Sequence, residues 1–288
     1  MAAAPRSRRV RSDLPTDDLD FEARFKGVLQ AAREQSSRTN ITVQDFLTKN
    51  VGPSSMPEIT VWRLHLTATA TFLGVLQCLE TKFSSLGAFS LIRGLVEACT
   101  HLDFIADDSE PGSPALRAIR FEYGALYEWA RVDKLRDPDM NYEDRVRDID
   151  RKMLSLFRSN GHDGLLRRRT YGDVGQTLKK MAASSSPSRM DLLHAATSTA
   201  VHATAADFLL SRSPTSLSVE WASSSRRCAW FQFAVVSYDY LTIAALSLAD
   251  NEERHSVIQD LHTKWLAIYN DPLITNCVSE GAPLGKYK

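Results

Sequence analysis

Residues 91–106 read LIRGLVEACTHLDFIA, an apolar run in which Arg93, Glu97 and His101 recur at four-residue intervals. That spacing stacks the three ionisable side chains on one stripe of a helix. Their neighbours Leu91, Ile92, Leu95, Val96, Leu102 and Ile105 call for burial. The pattern returns at residues 192–210, where His194, Ser198 and His202 form a second stripe among Leu192, Leu193, Val201, Leu209 and Leu210. Buried charge is costly unless it is paired. The two stripes are therefore expected to face each other or to line a shared cleft, and function is expected there.

Working outward, the helical period recurs almost everywhere, and no window alternates with the two-residue period of a strand. A helix is predicted from Asp17 through Phe21, Phe25, Val28, Leu29 and Ala32, ending in the polar run Gln35 to Asn40. A short helix is predicted at Val43 to Lys49, and the breaker Gly52-Pro53-Ser54-Ser55 follows. Ser55 caps a long helix with Pro57 in its first turn, reaching Phe83. Further helices are predicted over Leu86–Ala106, from Ser113 with Pro114 to Leu135, and from Asn141 to Arg158. A brief one lies near Gln176–Ala183, and another, opened by the Ser188/Asp191 capping box, ends at Leu210. Residues 211–224 read as a serine-rich loop, before helices at 226–248 and 252–269. The expected fold is all-α: a single bundle of about eight to ten helices, essentially without sheet. A disordered basic tail (1–16) precedes the bundle (17–270), and a loose tail (271–288) follows it.

Lys plus Arg and Asp plus Glu each number 35 in the 288 residues, so no global field attracts nucleic acid or anionic lipid. Cys78, Cys99, Cys228 and Cys277 form no Cys-x-x-Cys pair and read as small apolar residues in a reducing compartment. The basic N-terminus lacks the apolar run of a secretory signal. The most apolar stretch, Cys228 to Ala249, holds Gln232 and Asp239, which favours a core helix over a membrane span. A cytoplasmic protein with no membrane partner is expected.

The stripes leave two readings open. An Arg93–Glu97 ion pair that also engages His101 can fix helix packing, or the carboxylate can orient His101 as a general base. His194 and His202 stand about 12 Å apart along one helix and cannot share a metal. No His-Glu-x-x-His occurs, and no metal and no cofactor is expected. Ser198 lacks the Gly-x-Ser-x-Gly elbow of an esterase nucleophile. Asp239, inside the most apolar helix, needs a partner, for which Arg93 or a histidine is the economical choice. Between Arg158 and Lys180, the basic residues Arg158, Arg167, Arg168, Arg169, Lys179 and Lys180 outnumber Asp163 and Asp173 by a net +4. With four glycines and Tyr171, this segment suits either a phosphate backbone or plain solvent.

The Arg93-x3-Glu97 helix followed much later by the Ser198-x3-His202 helix resembles uncharacterised, mostly bacterial helical families over residues 60–250. Some of those are placed near HEPN proteins, helical nucleotide-binding or RNA-cleaving modules of toxin and phage-defence systems. Arg189 and His194 fit the HEPN Arg-x4-6-His spacing at its minimum. The resemblance implies a metal-independent ribonuclease. His202 or His194 would be its base, Glu97, His101, Arg93 and Ser198 would lie around it, and Arg167, Arg168, Arg169, Lys179 and Lys180 would contact RNA. It also implies a homodimer, with RNA or another protein as partner. The competing expectation is a non-catalytic interaction or regulatory module whose polar network specifies packing.

Overall fold

The computed structural model describes residues 18–51, 56–81, 85–106, 113–159, 211–213, 216–218, 224–249 and 251–281. They form α1 (Asp18–Asn50), α2 (Met56–Leu79), α3 (Ser85–Ala106), α4 (Pro114–Arg136) and α5 (Tyr142–Ser159), then α6 (Ser224–Leu246), α7 (Glu252–Tyr269) and α8 (Pro272–Gly281). The fold is all-α. Among the described residues the sheet is a single pair of three-residue antiparallel strands, β1 (Ser211–Ser213) and β2 (Ser216–Ser218), inside the stretch expected as loop.

Local chemistry sets several helix starts. Ser113 accepts a hydrogen bond from the Leu116 amide at 3.3 Å, with Pro114 next in the chain, and Asn141 accepts one from the Asp144 amide at 3.3 Å. Asn251 caps α7 in the same way, at 2.8 Å from the Arg254 amide.

Two expectations fail, each for a physical reason. The break at Gln35–Asn40 does not occur, and α1 runs unbroken for 33 residues. Residues 28–50 contain no Gly or Pro, and Ser36, Ser37 and Thr42 bond back to the carbonyls of Arg33, Arg33 and Arg38 at 2.8, 3.1 and 3.0 Å. Gln35, Ser36 and Thr39 face inward and are buried. The loose tail expected after Pro272 is instead α8, docked on α6 with Ile274 fully buried. The expected helices over 176–183 and 188–210 lie outside the described residues.

Helix α6 is the hub and packs on α1, α2, α3, α7 and α8. Phe231, Ala234, Val235, Tyr238, Leu241, Ala245 and Leu246 are buried along it, as a helix apolar on nearly all sides requires. Helices α2 and α3 approach closely through glycines. A Cβ at Gly74 would sit 3.2 Å from Leu91, and one at Gly87 would sit 3.2 Å from the Cys78 sulfur. Helices α4 and α5 form a hairpin with its own core of Ile119, Tyr123, Tyr127, Ile149, Met153 and Phe157. Glu122 ties this hairpin to α2 through Thr60 at 3.2 Å and Arg63 at 3.3 Å. All four cysteines are free thiols, Cys99 and Cys228 buried and Cys78 and Cys277 half-buried. Over Pro57–Leu79, α2 is long and apolar enough to cross a membrane by length and composition. It packs on α1, α3, α4 and α6.

The carbonyls at a helix C-terminus lack partners within the helix and need donors when buried. Two fully buried arginines, each the fourth residue of its helix, supply them. Arg117 of α4 donates from Nε to the Ile105 carbonyl at 3.0 Å. Arg227 of α6 donates to the Leu79 carbonyl from Nε at 3.0 Å and from Nη2 at 2.6 Å. Its guanidinium also grips Glu22 of α1 bidentately and lies 4.8 Å from the Phe25 ring centroid. One side chain thus fastens α1, α2 and α6. Arg227→Met, followed by urea unfolding, is expected to cost about 3–5 kcal/mol, because Glu22 and the Leu79 carbonyl lose their donor together. Replacing Glu22 by Met as well should recover a large part of the loss. A single-variant cost below about 1 kcal/mol would remove Arg227 from this role.

Candidate functional site

Helix α3 forms over residues 85–106, and its polar stripe lies where the spacing placed it. Arg93 Nε donates to Glu97 Oε1 at 2.6 Å. The stripe runs along an edge of the helix and is not sunk in the core, with 16% of the Arg93 side chain exposed and 38% of Glu97. His101 lies one turn further on, its ring 5.0 Å from that of Phe121 on α4. Burial holds the His101 imidazole down at about 4, against the opposing pull of Glu97. It is therefore neutral at pH 7. The second stripe, His194, Ser198 and His202, and the basic group Arg167, Arg168, Arg169, Lys179 and Lys180, lie outside the described residues, as does Arg189.

The deepest polar cluster arises elsewhere, where α1, α2, α6 and α7 meet. Fully buried His65 of α2 has Nδ1 3.3 Å from Asn40 Oδ1 and Nε2 3.4 Å from Thr242 Oγ1. Thr69, one turn along α2, shares a 2.7 Å hydrogen bond with the Tyr238 hydroxyl. The Tyr238 ring stacks on Phe72 at 4.6 Å and meets Trp265 edge-on at 5.4 Å. Trp265 of α7 donates its indole N–H to Thr39 Oγ1 of α1 at 3.2 Å. The buried polar run of α1 thereby has a purpose: it supplies the acceptor that a buried tryptophan requires.

Asp239 finds a histidine, but one the spacing argument did not single out. Its Oδ2 lies 2.6 Å from Nδ1 of His262 on α7. The pairing joins two helices and does not involve Arg93, which holds Glu97. Burial raises the Asp239 carboxyl above its ordinary value, and the hydrogen bond and charge of His262 oppose the rise. Among the described residues, Asp239 Oδ1 and Ser237 Oγ are buried with no hydrogen-bond partner. The His262 side chain is 44% exposed, so this carboxylate-oriented imidazole reaches solvent. Asp103, also unflagged by spacing, accepts from the Tyr240 hydroxyl at 2.7 Å and links α3 to α6.

Chemically, these groups tie helices together. The arrangement holds His65 and His101 neutral, leaves His262 as a carboxylate-bound surface imidazole, and includes no group of three or more candidate metal ligands among the described residues. A surface cleft of about 490 Å³ is lined by Asn50, Val51, Pro57, Ser113, Leu248 and Asn251, away from the ionisable stripe of α3. Comparison of the chain with protein-family models, with curated proteins and with solved structures gives no match.

The sealed imidazole has a measurable consequence. Burial pushes His65 from its ordinary 6.5 down to about 3, so the folded protein keeps it neutral while the unfolded chain takes up a proton near 6.5. Stability from this group is full above pH 6.5 and is lost as pH falls toward 3. His101 acts in the same direction down to about 4. Asp239 acts oppositely, its contribution being lost as pH rises through its raised value. Unfolding free energy measured between pH 6.5 and 4 is expected to fall more gently in His65→Gln than in wild type, by about 1.4 kcal/mol per pH unit. Equal slopes would mean that His65 meets water in the folded state.

Proposed function

We propose that the protein is a non-catalytic helical interaction module whose ionisable groups specify how its helices pack. The observation that carries this reading is an apolar stripe on the outer face of α4. Trp129, Val132 and Leu135 are 62%, 41% and 82% exposed at three-residue steps, although the opposite face of α4 already packs on α5. A large aromatic and two aliphatic side chains held in water along one helix favour a protein partner. Surface ion pairs lie beside it, Arg131 with Glu128 on α4 and, along α5, Arg147 with Glu143 and Asp144 and Arg151 with Asp148.

Support comes also from how the charges are used. Arg93 is bound to Glu97 along one helix, and Asp239 to His262 across two. The competing ribonuclease reading draws on Arg93, Glu97 and His101 together with His194, Ser198, His202 and the basic group, and of these Arg93, Glu97 and His101 are among the described residues. The two readings separate in one experiment with a labelled single-stranded oligoribonucleotide and the variants Glu97→Gln and His202→Ala. On the module reading, wild type and both variants leave the RNA at the rate of a buffer control, and Glu97→Gln lowers the melting temperature by a few degrees. RNA cleavage by wild type that either variant abolishes, with the melting temperature unchanged, would overturn it.

A further inference from the structure

Two of the four free thiols are neighbours across a helix contact. Cys228, in the second turn of α6, is fully buried, Cys277 of α8 is half-buried, and their side chains hydrogen-bond to each other. Helix α8 brings Cys277 there on the stripe Leu273, Ile274, Cys277 and Val278, which packs against the core at the steps of one helical face. Asp271 starts this helix by accepting from the Leu273 amide at 2.8 Å, and α6 is the helix on which it docks. The other two thiols are differently placed. Cys99 donates to the Ser237 carbonyl at 3.0 Å, and Cys78 lies on α2 against Gly87 of α3. Thiols in hydrogen-bond contact can be joined with little movement of the backbone, the condition that decides whether two cysteines can be bridged.

We infer that Cys228 and Cys277 are a modification site: a dithiol that a small-molecule disulfide oxidises to a reversible intramolecular disulfide, locking α8 onto α6. Their unequal exposure gives the reaction an order. Cys277 reaches solvent, loses its proton to water and attacks one sulfur of the small disulfide; that S–S bond breaks, one thiolate leaves, and a mixed disulfide forms on Cys277. Cys228 then loses its proton and attacks the Cys277 sulfur, expelling the second thiolate. Two electrons pass from the two cysteines to the small disulfide, and the two protons end on the thiolates it releases. Cys228 is held back from reacting first. Its hydrogen bond to Cys277, burial and the charge of an ionised Cys277 all push its thiol far above the ordinary value, with Arg227 opposing the rise and Asp271 adding to it. Once Cys277 is held in the mixed disulfide it carries no charge, Cys228 ionises more readily, and the attack on the neighbouring sulfur is intramolecular.

Treating the folded full chain with excess oxidised glutathione, followed by intact-mass and peptide-mass measurement without reduction, tests this. Wild type is expected to lose two hydrogens, to yield a peptide pair joined through Cys228 and Cys277, and to keep its circular dichroism spectrum. Dithiothreitol should reverse the change. The melting temperature of the oxidised protein should rise by several degrees, because the bond closes the loop of residues 228–277. Cys228→Ala is expected to stop at a glutathione adduct on Cys277, and Cys277→Ala to leave Cys228 unmodified. A wild type that stops at the adduct, that joins Cys228 to Cys78 instead, or that does not react overturns the assignment. An oxidised protein that melts no higher than the reduced one overturns the lock. The inference is independent of the module reading, which falls on RNA cleavage and not on peptide masses.

Discussion

Burying a tyrosine hydroxyl without an answering group is costly, and the hydrogen bond between Tyr238 and Thr69 removes that cost at the centre of this molecule. The bond fixes the rotation of α6 against α2. Once Tyr238 is placed, its ring is boxed by Phe72, His65 and Trp265. His65 then needs Asn40 and Thr242, and Trp265 needs Thr39. Four helices acquire their mutual register from one seam of polar groups. Apolar side chains alone would fill the same space with less discrimination between registers, since volume and patterning tolerate several packings.

The two buried arginines extend this logic to the ends of the helices. The C-termini of α2 and α3 stop inside the bundle, where water does not reach their last carbonyls, and a guanidinium from the first turn of α6 or α4 supplies the missing donors. Arg227 also draws in Glu22, so that the start of α1 is fixed by the same group that closes α2. The α4–α5 hairpin hangs from this frame by Arg117 and Glu122 and brings its own small core. Its outward face carries the exposed Trp129, Val132 and Leu135.

Much of this was legible in the sequence, and the failures are informative. The helical period in Leu91–Ala106, the Ser113 and Asn141 caps and the limits of Glu252–Tyr269 are local properties, and they appear in the structure as read. The break at Gln35–Asn40 was misread because polarity was taken to mean solvent, whereas Thr39 accepts from a buried tryptophan on a helix more than 200 residues away and Gln35 donates to Thr39. Short-range periodicity holds no signal for such a contact. His65 did leave one: with Thr69 it repeats, inside an apolar helix, the same four-residue spacing that drew attention to Arg93 and Glu97. His262 left none, since a half-exposed histidine on a polar helix looks like any other until Asp239 is seen beside it. The expected meeting of Glu97 with His202 involves a residue outside those described.

The common thread is that ionisable and hydroxyl groups within the described bundle act as fasteners. The double-mutant cycle of Thr69→Val and Tyr238→Phe, read by chemical denaturation, tests that claim most directly. If the hydrogen bond between α2 and α6 organises the core, the two substitutions are non-additive, with a coupling energy of about 1 kcal/mol or more. Simple additivity, within about 0.3 kcal/mol, would show that the two side chains act independently and would contradict the account.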